Sequence, residues 1–316
     1  MTSPADLATG VGRRRVYGHT AVCLALLVCA AHLARRHWPT LETGALRLAV
    51  ADQGWLLVAA TAAAGTWAAS ALAQQGAVVR RLPGGRLVAA QFAASAANHV
   101  LPAGLGAGAV NLRFLMRCGL PPGRSASALA VKATAGALVR GALIAALAPA
   151  CPGLLRVPRV PAAALATVLV AVVLVATVLL AGPPRHRCRA ALATVLADIR
   201  AVHANPPRAA ALWGGSLAFA ALHALVLIAV TRAVGFPLAP VRVALLYLAA
   251  SSAAALLPTP GGLGSLDAAL GLALTASGAP AAAAASVVLG YRLLTVWLPL
   301  VPGLLVLGAL TRRKAL

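Results

Sequence analysis

Six ionisable side chains stand inside stretches that are otherwise apolar. Five are bases, Arg113, Arg117, Lys132, Arg140 and Arg292, and one is an acid, Asp267. A charge in hydrocarbon costs about 2.5–3.5 kcal/mol on insertion scales, so such residues mark a function or a fixed partner. An excess of bases suits an anionic group, and a lipid phosphate is the natural one. Two glycine-rich breaks, around Pro102-Ala103-Gly104 and Pro260-Gly261-Gly262-Leu263-Gly264, each lead into an apolar run. A helix that starts there offers unpaired N–H groups and its positive dipole end within the membrane. That arrangement binds anions. Asn98, His99, Asn111 and Arg113 lie near the first break, Gly264 and Asp267 at the second, and Tyr291-Arg292 in the run that follows.

Several of these residues have a plainer reading. Arg117, at the end of its run, is placed to snorkel to the surface. Asp267, three residues after Gly264, is placed to cap its helix. Arg140 can pair with a backbone carbonyl. The seven histidines show no metal-ligand spacing, and five acids are too few for a hydrolytic dyad with ligands. Gly104-x-Gly106-x-Gly108 has no preceding strand of a βαβ unit and no P-loop Lys-Ser/Thr. The expectation is a binding site without catalytic residues, metal or cofactor, in which Asn98, Arg113, Lys132, Arg140, Gly264, Asp267, Tyr291 and Arg292 contact the substrate.

Composition states where these residues work. Of 316 residues, 61% are hydrophobic and 10% charged, with a mean hydropathy of +0.90. That places the chain among polytopic membrane proteins. The net charge of +22 would suggest nucleic acid in a soluble chain. Here the bases punctuate apolar runs of helical length, and no basic face interleaved with aromatics exists, so nucleic acid is excluded as a partner. The five cysteines are scattered and read as small apolar residues. Arg13–Arg15 before a short apolar run imitate a signal peptide, but the further spans make a retained signal-anchor helix the better reading.

The elements that must position the site follow from hydropathy. Spans are expected at about 17–34, 55–73, 125–150, 162–181, 210–230 and 281–310, the last passing Pro299 and Pro302. Two pairs of arms, 87–101 with 105–117 and 243–257 with 263–277, are too short to span about 30 Å of hydrocarbon and read as re-entrant hairpins. The segment holding Arg35, Arg36, Trp38 and Glu42 reads as a loop. In the stretch 183–208, Leu192, Val195, Leu196, Ile199 and Val202 recur at helical spacing, which fits a surface amphipathic helix or an ordinary connecting helix.

The chain also repeats itself. Leu101-Pro102, Leu105-Gly106, Gly119-Leu120-Pro121 and Lys132 correspond to Leu257-Pro258, Leu263-Gly264, Gly278-Ala279-Pro280 and Arg292, at a spacing close to half the chain. Each half, about 17–150 and 162–310, holds three spans and a hairpin. Three crossings invert the second half. With the N-terminus inside, the inner segments carry most of the loop arginines, which agrees with both termini being cytoplasmic. The two hairpins then enter from opposite sides.

The run Pro260 to Asp267, with Gly278-x-Pro280, Tyr291-Arg292, Trp297 and Pro299, resembles the C-terminal signature of the lysylphosphatidylglycerol synthase transmembrane, or flippase-like, family. Asn98-His-Val-Leu-Pro102 with a downstream Leu-Gly resembles its first-half signature. The resemblance implies an integral membrane protein that moves or handles lipids, aminoacylated phospholipids in some members and glycolipids or isoprenoid lipids in the pathways of others. Two departures stand out: Asp267 replaces a frequent Glu, and Ala107 stands where an acid often follows the first Leu-Gly. The chain ends shortly after Leu310, so lysyl transfer by a soluble domain is not expected. The resulting expectation is an all-α integral membrane protein. It has one polytopic domain over 1–316, about six transmembrane helices and two re-entrant hairpins in an inverted-topology repeat. It lies in the plasma membrane and moves an anionic or modified phospholipid or glycolipid between leaflets. The alternative is a non-transporting accessory subunit that presents lipid to a separate lipid-modifying enzyme.

Overall fold

The computed structural model describes residues 38–100, 105–152, 185–236, 238–255 and 264–312. The expected spans at 17–34 and 162–181, and the tips 101–104 and 256–263, lie outside the described residues. Among those described, all regular structure is helical: α1 (Trp38–Ala49), α2 (Gln53–Gly76), α3 (Gly84–Val100), α4 (Leu105–Arg117), α5 (Pro122–Leu147), α6 (Arg185–His203), α7 (Pro206–Ala233), α8 (Pro240–Ala255), α9 (Ser265–Ala276), α10 (Ala281–Arg292) and α11 (Leu298–Arg312). Four helical stretches among the described residues are long and apolar enough to cross a membrane: Gln53–Gly76, Pro122–Ala150, Pro206–Ala233 and Ala281–Arg312. The chain is a multi-pass membrane protein by this measure.

The starts of these helices are written locally. Asp52 caps α2 by accepting the Trp55 N–H at 2.8 Å. Pro122 opens α5 and Pro206 opens α7, at first-turn positions where a missing N–H costs nothing. The centre of the bundle is the pairing of α2 with α7, the most extensive helix contact among the described residues. It is made of small residues, as helices must be where lipid supplies no hydrophobic force to join them. A Cβ on Gly76 would lie 2.2 Å from the Leu212 backbone nitrogen, and one on Gly215 2.4 Å from that of Ala73. Around this pair, α3 packs on α4 and on α11, while α8 packs on α9 and on α5. Gly106 seats α4 against the Ala97 carbonyl of α3, where a Cβ would approach to 2.1 Å.

Three segments differ from the expected plan or resolve it. The segment expected as a loop around Trp38 and Glu42 is the helix α1, which lies on α10. Gly44 is buried there, and a Cβ would stand 3.2 Å from the Ser286 nitrogen, so tertiary contact and not hydropathy holds this short helix. Helix α6 packs onto α5 and α7, with Val202 fully buried in a cluster with Val131, Ala135 and Leu212. The C-terminal end of its apolar stripe, Ile199 and Val202, meets protein, while Leu196 is exposed. The last span is interrupted by a π turn, Leu293–Trp297, which ends two residues before Pro299. Proline removes a donor and crowds the carbonyl four residues back, that of Thr295, and the wider turn relieves the clash.

Candidate functional site

Each polar residue of the site stands on a helix whose other faces are apolar. On α2, Thr66, Ser70 and Gln74 are four residues apart. On α3, Gln91, Ser95 and Asn98 fall at i, i+4 and i+7, and on α5, Lys132, Gly136 and Arg140 again recur every four. Spacings of three and four put each set along one face of its helix. The fold turns the three faces toward one another and adds Asn111 from α4 and Phe219 with His223 from α7.

Lys132 is the hub. Its ammonium donates to Ser70 Oγ at 2.9 Å and to Gln91 Oε1 at 2.9 Å. Ser70 donates to the same Gln91 oxygen at 2.8 Å, and Gln91 Nε2 donates to Asn111 Oδ1 at 2.6 Å. Asn111 Nδ2 in turn donates to the Ala107 carbonyl at 2.9 Å. The network ties α5, α2, α3 and α4 together with uncharged partners only. No carboxylate among the described residues pairs with Lys132, and an ammonium has one donor more than the two these partners use.

Two cavities adjoin this hub. The smaller, about 230 Å³, is lined by amides, hydroxyls and aromatic rings, among them Asn98, Ser95, Trp67 and His223. The larger, about 460 Å³, runs along α5 from Lys132 to Arg140 and is mostly apolar. Lys132, Ser70 and Asn111 line both. Arg140 stands two turns from Lys132, about 12 Å along the axis. Its Nε is buried with no hydrogen-bond partner among the described residues, and so are both amide atoms of Gln74, a fully buried side chain on the same cavity. Buried polar atoms left unpaired cost about 1–3 kcal/mol each, so native proteins keep few of them without a purpose.

The second half gathers its own set. Asp267 accepts the Gly264 N–H at 3.0 Å, capping α9, and also receives Arg292 from α10: Nε donates to Oδ1, and Nη2 to Oδ2 at 3.1 Å. Arg292 is buried, whereas the Asp267 side chain is 31% exposed. Tyr291 points elsewhere, its hydroxyl donating to that of Tyr247 at 3.4 Å within the core. Tyr247 stacks near His223, with centroids 6.1 Å apart, so a file of rings runs from this core to the smaller cavity.

Of the eight residues singled out from the sequence, Asn98 and Lys132 line the smaller cavity, and Lys132 and Arg140 the larger. Gly264, Asp267 and Arg292 form the cap and ion pair, with Tyr291 beside them; none of the four lines these two cavities. Arg113 is exposed on α4 and lines neither. The sequence reading passed over Ser70, Gln74, Gln91, His223 and Thr295. The first three were legible as polar stripes. Thr295 depends on the π turn, which brings it to the smaller cavity while its hydroxyl donates to the Tyr291 carbonyl at 2.7 Å.

Over residues 20–303 the chain matches the family described as Lysylphosphatidylglycerol synthase TM region. The chain belongs to this family. The match takes in every cavity residue named above and the ion pair of the second half, so the site lies wholly within the region that defines the family. Membership gives the cavities a setting, a membrane domain with a lipid-related function. None of the curated proteins matches the sequence significantly.

Proposed function

We propose that the chain is a flippase-like lipid transporter that takes an anionic lipid headgroup into the Lys132–Arg140 cavity and passes it between leaflets. The observation that carries this reading is a pair of basic side chains on one face of α5, lining with the buried and unpartnered amide of Gln74 a mostly apolar cavity that has no carboxylate among its described lining residues. A phosphate there meets charge-assisted hydrogen bonds in a medium of low dielectric, while acyl chains lie along the apolar wall. Arg292 is occupied by Asp267, and Asp267 occupies the start of α9. The weight of anion binding therefore rests on Lys132 and Arg140. Asn98 and the smaller cavity receive the rest of the headgroup.

The packing supports an inverted repeat of six crossings and two re-entrant hairpins. The α3 arm leans on α11 of the other half, and the α8 arm leans on α5, while α2 and α7 face each other at the centre. Such exchanged contacts are what a two-fold axis in the membrane plane generates, and rocking of the halves about it alternates access. In this reading both termini are cytoplasmic and the protein sits in the plasma membrane.

Leaflet-resolved assay of fluorescent phosphatidylglycerol in proteoliposomes tests the function. Protein-dependent loss of sidedness is expected; lipid that stays where it was placed rejects transport and leaves an accessory lipid-binding role. Topology is tested in a cysteine-free background with Gly123→Cys and Ala281→Cys, both exposed at starts of corresponding spans. They should react with an impermeant reagent from opposite sides, and reaction from one side refutes the inversion.

A further inference from the structure

The two cavities differ in chemistry, and the difference points to a headgroup class. The larger holds the cations, Lys132 and Arg140, and the unpartnered Gln74. The smaller holds Gln91, Asn98 and Asn111 with Ser95, under the indole of Trp67 and beside His223. Amides that donate and accept at once, next to an aromatic face, match hydroxyl groups on a carbon frame with exposed C–H faces. The acceptors nearest the shared wall, Ser70 Oγ and Gln91 Oε1, are already taken by Lys132, and no carboxylate stands among the described lining residues to hold a second ammonium. Among the described residues the acids are Glu42, Asp52, Asp198 and Asp267, and none of them lines either cavity. Asp267, the acid closest to the membrane interior in the sequence pattern, is already bound to Arg292.

We infer that the site selects a lipid phosphate whose headgroup bears hydroxyls and no amine, and that it rejects the aminoacylated lipids for which the family is named. This rests on the lipid-handling reading above and narrows its substrate. The phosphate lies against Lys132, at the wall that the two cavities share, so the headgroup beyond it enters the amide-lined compartment. A lysyl group attached to that headgroup adds two positive charges within reach of Lys132 and Arg140, in surroundings that screen them poorly.

Titration calorimetry of the full chain in detergent separates this inference from transport, because binding in a micelle needs no leaflet exchange. The probes are dihexanoyl phosphatidylglycerol, its lysyl ester and dihexanoyl phosphatidic acid. Phosphatidylglycerol should bind at least tenfold more tightly than the lysyl ester, and Asn98→Ala should erase its advantage over phosphatidic acid, which has no hydroxylated headgroup. Gln74→Glu, which adds a carboxylate to the cavity that Arg140 lines, should narrow the tenfold gap by favouring the lysyl ester. Equal or tighter binding of the lysyl ester by the unaltered protein overturns the inference, as does binding of neither lipid. Selective binding without movement in proteoliposomes sinks transport and leaves the selectivity standing; movement of the lysyl ester does the reverse.

Discussion

In both halves a base on the helix that follows a hairpin reaches toward that hairpin, and the partners it finds are opposite in kind. Lys132 meets a serine and a glutamine and has no counter-ion among the described residues; Arg292 meets a carboxylate that pairs with its guanidinium. A neutral network leaves an uncompensated cation facing a cavity, which is costly unless an anion visits. A bidentate ion pair that also caps a helix is self-sufficient. Pseudo-equivalent positions have thus divided the work, binding in the first half and architecture in the second.

The largest effect is expected where the charge is open. Lys132→Met should lower phosphatidylglycerol flux on the order of 10–100-fold, the equivalent of one charge-assisted hydrogen bond. It should change unfolding stability in detergent by no more than about 1 kcal/mol, since Ser70 still pairs with Gln91. A folding defect with normal flux would reverse the assignment of roles. Arg292→Ala should do the opposite, costing about 3 kcal/mol of stability. That is the low end for a broken buried pair, because the Asp267 carboxylate is 31% exposed. Adding Asp267→Asn should restore part of the loss, and a double-mutant cycle with no coupling would show that the pair is not the strut described here.

The smallest effects sharpen the comparison at two corresponding glycines. Gly106→Ala should cost about 2 kcal/mol by pushing α4 off the Ala97 carbonyl. Gly264→Ala meets open space but must hold φ of +91°, which costs about 1 kcal/mol. Thermal unfolding in detergent reads both. Equal losses would mean that the two glycines serve one shared constraint.

Much of the fold was legible in the sequence. The four long apolar helices and all four short arms lie within a few residues of where hydropathy and the Pro/Gly breaks put them, because helix length and punctuation are local properties. Helix α1 was missed because its stability comes from Gly44 and Leu48 against α10, a contact with no local signature. The polar stripe Thr66-Ser70-Gln74 is legible at helical spacing, but small uncharged polar residues in a span carry a weaker signal than an intramembrane charge. The π turn was foreshadowed by Pro299, but a proline inside a span announces strain without saying how the backbone relieves it.

The sequence by itself determined a membrane-embedded helical protein with two broken regions, a surplus of bases within apolar runs and the residues from which a site could be made. Composition, period and spacing suffice for that, since each is a property of one segment. Only the tertiary structure decided which bases remain available. Lys132 and Arg292 are indistinguishable as residues in apolar runs. Their difference lies in what the packing of α2 and α3 against α5, and of α9 against α10, brings within hydrogen-bonding distance of each base.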